Sequence, residues 1–338
     1  MRYSCHFGFF NKSPRLVASY YNRAMLLKFS TWRFVLLVCM AATRLPAAQP
    51  SGVPLQSAVS QAMAGRSGTA VVLDVHSERV LASYRLDEAA RRLAYPGSSI
   101  KPFTLIALLE SGKLDGHTAL VCKRAFSIAG HKLDCTHPDT KQPLDAATAL
   151  AYSCNSYFTT VALRLAPAQM QESFVNDGFS SATSLVPGEA AGAVERARSP
   201  DQLQLQAIGE WGIKITPLEL ARAYRRIALM EPKHSVNLDS LFAGLEQSVA
   251  YGMGHAAEPE TAMKVAGKTG TAPADEGPWT HAWFAGYAPA QNPEIVVLVF
   301  LERGHGGSDA AGVARAIFAA FAESHTPQVA TAKTGEQK

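Results

Sequence analysis

A serine and a lysine three residues apart, Ser98 and Lys101 within Pro96-Gly-Ser-Ser-Ile-Lys-Pro-Phe103, stack on one face of a helix. That geometry lets a neutral amine take a proton from a neighbouring hydroxyl and make it a nucleophile. Ser99, only two residues from Lys101, points elsewhere. At a helix start the backbone amides and the macrodipole favour a developing alkoxide or oxyanion and depress the pKa of a nearby ammonium. The bland alternative is an N-terminal serine beside a solvated lysine. A second group, Ser153-Cys154-Asn155, follows Lys101 by 52 residues inside a stretch that is apolar and helical on both sides. A short break there aims the Ser153 hydroxyl and the Asn155 amide into a cleft, whereas an ordinary helix cap uses the same residue types. Ser235-Val236-Asn237 repeats the spacing in a polar loop after Pro232 and is set aside. A third group, Lys268-Thr269-Gly270-Thr271, closes a strand. Gly270 lets another chain approach the backbone, an edge strand there pairs with an extended peptide, and the lysine and two hydroxyls are donors for a carboxylate. Strand alternation puts Lys268 opposite the threonines, so it must reach round by its length. Lys333-Thr334-Gly335 repeats the tripeptide with no strand before it.

The elements that would position these groups follow from periodicity. Residues 51–65 read as a linker running into a short amphipathic helix, with Val53, Leu55, Val59 and Met63 on one face. Strands are expected at 69–75 and 80–84, joined by a polar hairpin-like connection. Helices are expected at 98–109, closed by Gly112, at 144–165 with a break near Ser153, and at 217–230. Strands return at 263–271, 282–287 and 294–301, followed by a helix at 310–322. Strands at both ends with helices between them imply one sheet built from distant segments, hence one domain with a helical insertion.

The chain has 338 residues, 47% hydrophobic and 18% charged, the composition of a globular protein. Seven of its 32 Lys/Arg and none of its 28 Asp/Glu lie in residues 1–48, so the remainder carries a net charge of −3. No basic stripe is left to screen phosphates, which argues against a nucleic-acid partner. Residues 25–48 have the layout of a cleavable secretory signal: Lys28 and Arg33, the apolar run 34–42, then Ala47-Ala48. That run is too short to cross a bilayer as a helix. Residues 1–24 read as an extension upstream of a true start at Met25, 49–68 as linker and short helix, 69–325 as the catalytic domain, and 326–338 as a loose tail. Export implies a periplasmic or other extracytoplasmic location. In that oxidising setting Cys122 and Cys135 are expected to pair as a small-loop disulfide, with Cys154 unpaired and two free thiols as the alternative. Metal binding by these cysteines with His131 and His137 is disfavoured because no C-x₂-C pair is present.

Order and spacing together decide among the readings. S-x-x-K, then S-x-N, then K-T-G resembles the penicillin-binding protein and serine β-lactamase superfamily. The likeness runs on through Ile208-Gly-Glu-Trp-Gly-Ile-Lys-Ile-Thr-Pro-Leu-Glu-Leu-Ala221 and Trp283-Phe-Ala-Gly-Tyr-Ala-Pro289, over about residues 69–323. Within it the sequence is most similar to the transpeptidase domain of penicillin-binding proteins, because Asn155 stands where class D β-lactamases carry valine. The resemblance implies an α/β (α+β) fold of the DD-peptidase/β-lactamase-like type, an antiparallel sheet flanked by helices with an inserted all-helical subdomain. It implies acyl transfer from D-Ala-D-Ala stem peptides of peptidoglycan through an acyl-enzyme on Ser98, with β-lactams as covalent mimics. Lys101 would be the base, Ser153 the proton relay to the leaving nitrogen, and Asn155 the group orienting Lys101 and substrate. The amides of Ser98 and Thr271 would form the oxyanion hole, and Lys268, Thr269, Gly270 and Thr271 the carboxylate site. No metal or organic cofactor is implied. The implied enzyme is a D,D-transpeptidase or carboxypeptidase, and the alternatives are a class D-like β-lactamase and a non-catalytic penicillin-binding sensor or scaffold. Two departures stand out. The chain has no room for a glycosyltransferase domain or pedestal, which implies a cell-wall synthesis partner supplying it, and the family's frequent Gly-Gln is here Gly209-Glu210.

Overall fold

The computed structural model describes residues 54–325. The expected extension 1–24, signal 25–48 and tail 326–338 lie outside the described residues, as does the start of the 49–68 linker. In chain order the helices are α1 (Leu55–Ala62), α2 (Leu86–Ala89), α3 (Lys101–Glu110), α4 (Ala146–Ala151), α5 (Asn155–Ala162), α6 (Pro167–Asn176), α7 (Pro200–Ala207), α8 (Pro217–Met230), α9 (Asp239–Ala250) and α10 (Ala311–His325). The strands are β1 (Gly68–Asp74), β2 (Val80–Tyr84), β3 (Ser127–Ile128), β4 (His131–Lys132), β5 (Ala193–Val194), β6 (Ile213–Lys214), β7 (Ala266–Pro273), β8 (Thr280–Ala288) and β9 (Ile295–Leu301).

Five strands form one antiparallel sheet in the order β2-β1-β9-β8-β7, which joins the two ends of the domain and leaves β7 at an edge. Both faces are covered, so β9 is apolar throughout and its side chains alternate between two cores. Val296, Leu298 and Phe300 pack with Tyr224 and Ile227 of α8 and the helical insertion. Val297, Val299 and Leu301 pack with Val59 of α1 and Ile317, Phe318 and Phe321 of α10. The residues between β2 and β7 hold α2 to α9, the short hairpin β3–β4, and the two-residue strands β5 and β6, which pair antiparallel across α7. The fold is thus the antiparallel sheet flanked by helices, with an inserted helical region, that the resemblance implied.

Local chemistry fixes the ends of the elements that matter most. Thr216 caps α8: its hydroxyl accepts from Glu219 N while the Glu219 carboxylate accepts from Thr216 N, with Pro217 at the first helical position. The helix expected over 98–109 has a different first turn. In an α-helix residue 102 would donate to Ser98 O, but Pro102 has no N–H. Lys101 N donates to Ser98 O instead, and Gly97–Ile100 forms a 3₁₀ turn ahead of α3. The third-motif strand starts three residues later than its sequence pattern indicates, at Ala266.

Candidate active site

Ser98 and Lys101 bracket that 3₁₀ turn, in which residues i and i+3 eclipse rather than merely share a face. The turn is braced from three sides. Trp283 Nε1 donates to Tyr95 O at 3.0 Å, Tyr224 Oη donates to Ser99 O at 2.9 Å, and Gly97 N donates to Gly209 O at 3.1 Å. Gly97 has φ +52°, and a β-carbon there would lie 2.5 Å from Thr271 O, so only glycine lets the turn rest on β7. The two serines are separated by their surroundings. Ser99 is buried and its hydroxyl donates to Pro96 O at 2.7 Å, whereas Ser98 is partly exposed and its hydroxyl carries no hydrogen bond among the described residues.

Lys101 is completely buried, and its ammonium is fixed by the second motif. Nζ donates to Asn155 Oδ1 at 2.6 Å, Ser153 O at 2.7 Å and Ser153 Oγ at 3.3 Å. These partners converge because α4 and α5 are separate helices, and Ser153 in the break has φ +54°. That left-handed backbone turns both its carbonyl and its hydroxyl toward Lys101. Burial lowers the pKa of Lys101 to about 8, against the opposing negative field of Cys154, Cys135 and Glu210. A neutral amine is therefore accessible near physiological pH, as a general base requires.

Lys268, Thr269 and Thr271 lie on edge strand β7 next to the turn. A β-carbon on Gly270 would lie 2.4 Å from Pro96 O and 3.0 Å from Ser99 N, so the third motif and the nucleophile turn are in backbone contact. Thr271 is partly exposed and its Oγ1 accepts from Gly306 N at 3.0 Å. Lys268 is buried, donates to Thr269 O at 3.1 Å, and is pushed well below the ordinary lysine range by burial and then by the charge of Lys101. Two lysines facing one site, both shifted toward neutrality, leave room for an anionic substrate group to restore their charge. The decoys stay apart: Ser235 and Asn237 border an exposed 3₁₀ turn, and 333–335 lies outside the described residues.

Sequence reasoning missed two features. Glu210, noted only as a departure from Gly-Gln, is a half-buried carboxylate with no hydrogen bond or ion pair among the described residues. Desolvation raises its pKa against the opposing charges of Lys101 and His131. The expected Cys122–Cys135 disulfide is corrected: Cys122, Cys135 and Cys154 are free thiols, and the neighbour of Cys135 Sγ is Cys154 Sγ, unbonded at 3.9 Å. A disulfide bond is about 2.05 Å. Cys154, expected to stand alone, is the N-cap of α5 and faces the loop carrying the other two. The contact between the two buried thiols holds Cys135 low and pushes Cys154 up. Cys122, Cys135, Cys154 and His137 place their ligand atoms within 4.8 Å of one another, so they could hold a metal. The missing C-x₂-C pair, used above to disfavour metal, does not matter here because the ligands come from separate segments. His131 is exposed on β4 and outside the group.

Residues 68–323 match the family model described as the penicillin binding protein transpeptidase domain. The peptidoglycan D,D-transpeptidase MrdA of Acinetobacter baumannii is 24% identical over an alignment 349 positions long, covering 78% of this chain and 52% of the relative. The chain thus spans about half the length of that curated relative. The TP domain of penicillin-binding protein 3 from Burkholderia pseudomallei superimposes with a TM-score of 0.68 at 25% identity, over 79% of this chain and 91% of that one. A chain solved as part of a peptidoglycan synthase complex superimposes at 0.66 and 23% identity, over 79% of this chain and 60% of that one. The family match covers the whole sheet, the nucleophile turn, the α4–α5 break and edge strand β7, so the three motifs and the fold that gathers them have one explanation: this chain belongs to the penicillin-binding protein transpeptidase domain family.

Proposed function

We propose that this chain is a serine D,D-transpeptidase that acts on peptidoglycan stem peptides ending in D-Ala-D-Ala. The observation that carries the reading is the state of Lys101: buried, depressed toward neutrality, tethered by Ser153 and Asn155, and eclipsed with a hydroxyl that nothing else engages. In the proposed reaction Lys101 removes the Ser98 proton as Oγ attacks the penultimate D-Ala carbonyl. The oxyanion is received by the amides of Ser98 and Thr271, where each donor is worth ~2.7–4 kcal/mol. Ser153 passes the proton to the departing nitrogen, D-Ala leaves, and an amine attacks the ester. Lys268, Thr269 and Thr271 bind the terminal carboxylate, and Gly270 keeps the β7 edge open to the peptide backbone. A β-lactam enters by the same route and leaves its amine tethered.

Water in place of the amine makes the same site a carboxypeptidase or, with penicillin, a β-lactamase. That second reading is favoured by one feature, the unpaired Glu210 carboxylate, which could serve a water as base. Export by the 25–48 segment and a partner in cell-wall synthesis belong to the same proposal. The substrate lies outside the cytoplasm, and one structural neighbour was solved within a peptidoglycan synthase complex.

The test pairs two variants. Ser98→Ala is expected to abolish covalent labelling by fluorescent penicillin and D-Ala release from a stem-pentapeptide donor, while Ser99→Ala keeps labelling. Labelling that survives Ser98→Ala and is lost in Ser99→Ala contradicts the assignment.

A further inference from the structure

Behind the second motif, four side chains from three segments close on one point. Cys122 precedes the β3–β4 hairpin, Cys135 and His137 follow it, and Cys154 starts α5. Their ligand atoms lie within 4.8 Å of one another, and Cys135, His137 and Cys154 are buried. The spacing is that of a coordination shell. Thiolates about 2.3 Å from a tetrahedral Zn²⁺ are ~3.8 Å from each other, and Cys135 Sγ and Cys154 Sγ are 3.9 Å apart.

The imidazole supplies an independent sign. His137 is 2% exposed, and its Nδ1 lies 2.8 Å from Pro138 O, which can only accept. Arg124 Nη1 lies 3.3 Å from the same Nδ1, so Nδ1 is the nitrogen that protein groups engage and Nε2 the one left to a ligand. That atom is buried and has no hydrogen-bond partner among the described residues. A histidine held at one ring nitrogen by protein groups while its other nitrogen is buried and free is the arrangement found around metal-bound imidazoles. Cys122 Sγ accepts a backbone hydrogen bond from Arg124 N at 3.3 Å, which suits a thiolate ligand.

We propose that Cys122, Cys135, His137 and Cys154 bind one Zn²⁺-class ion in a closed, four-coordinate site. Three sulfurs and one imidazole select a soft or borderline ion over Mg²⁺ or Ca²⁺, and four protein ligands leave no open position for catalysis. Each cysteine that enters as a thiol releases its proton to solvent, the zinc–sulfur bond taking the lone pair it leaves. The ion replaces the disulfide that spacing and compartment implied. It also acts on the active site at second hand. Cys154 lies between Ser153 and Asn155, the two residues that hold Lys101. Fixing Cys154 fixes the α4–α5 break, so Cys154 is a positioning residue for the amine. The metal site stands apart from the proposed reaction; only this last coupling rests on it.

The test uses the full chain as purified without chelator. Elemental analysis is expected to find one zinc per chain, in wild type and equally in Ser98→Ala, so that failure of the proposed reaction leaves the site readable. Replacement with Co²⁺ is expected to give an intense thiolate-to-cobalt charge-transfer band and the strong visible bands of a tetrahedral ion. Thiols at 122, 135 and 154 are expected to resist Ellman's reagent until a chelator is added. Cys135→Ser should lose at least 100-fold in zinc affinity; if that variant does not fold, the wild-type cobalt spectrum and thiol protection decide alone. Chelated protein should be acylated by penicillin at least 10-fold more slowly and recover on adding Zn²⁺. Metal-free protein with a disulfide among these cysteines, or a cobalt spectrum without a sulfur band, overturns the site. Unchanged acylation after chelation overturns the coupling.

Discussion

In the proposed reaction Lys101 concentrates the chemistry into one amine whose charge state sets the rate. Its pKa of about 8 is a balance in which burial lowers it and the negative charge of Glu210, among others, raises it. The base works only when neutral, so acylation by penicillin should rise with pH through that value. Replacing Glu210 with Gln removes a charge that favours the ammonium while keeping the shape of the side chain. The midpoint of the pH–rate profile for Glu210→Gln is therefore expected below that of wild type, with acylation at pH 7 faster severalfold. Stopped-flow acylation across pH checks this, and a midpoint that stays put or moves upward refutes the electrostatic link. The three groups that the fold gathers, around Ser98 and Lys101, Ser153 and Asn155, and Lys268 to Thr271, were legible at this scale because each is a short motif. Glu210 was visible only as an odd residue, since its facing Lys101 depends on how Gly209 docks on Gly97.

Among the elements, the break between α4 and α5 does the most to position the site. Ser153 occupies left-handed backbone there, which costs a non-glycine residue roughly 1–2 kcal/mol. Ser153→Gly relieves that strain and deletes the hydroxyl. Thermal unfolding is expected at the same or a higher temperature while penicillin acylation falls at least tenfold; a drop in stability with acylation intact would refute the role assigned to the break. The sequence showed that a helical stretch was interrupted at this point, and its apolar periodicity placed α8 at its observed bounds. It did not show the 3₁₀ turn at Ser98, although Pro102 carries the reason. The cysteine cluster was not legible from spacing either. Its ligands are 13, 2 and 17 residues apart and meet only when the β3–β4 hairpin folds over the start of α5.

Across the whole molecule, the sheet separates a core that serves the site from one that serves stability. Phe318 of α10 packs edge-on to Phe284 at 6.2 Å in the core shared with α1. Phe318→Ala should cost about 3–5 kcal/mol, a fall in Tm on the order of 10 °C for a domain of this size. Calorimetry is expected to record that fall while the folded variant is acylated at about the wild-type rate; loss of acylation at full stability would mean the two cores are not separable in this way. The same sheet brings β7, from the far end of the sequence, against the turn at Ser98, and this is what unites the three motifs into the site proposed to be acylated. Intact-mass spectrometry of the purified chain mixed with benzylpenicillin, sampled from seconds to hours and followed by peptide mapping, tests that claim most directly. One adduct per chain, located on Ser98 and persisting for minutes or longer, is the predicted result. An adduct on another residue, or rapid multiple-turnover hydrolysis with no adduct accumulating, would contradict it.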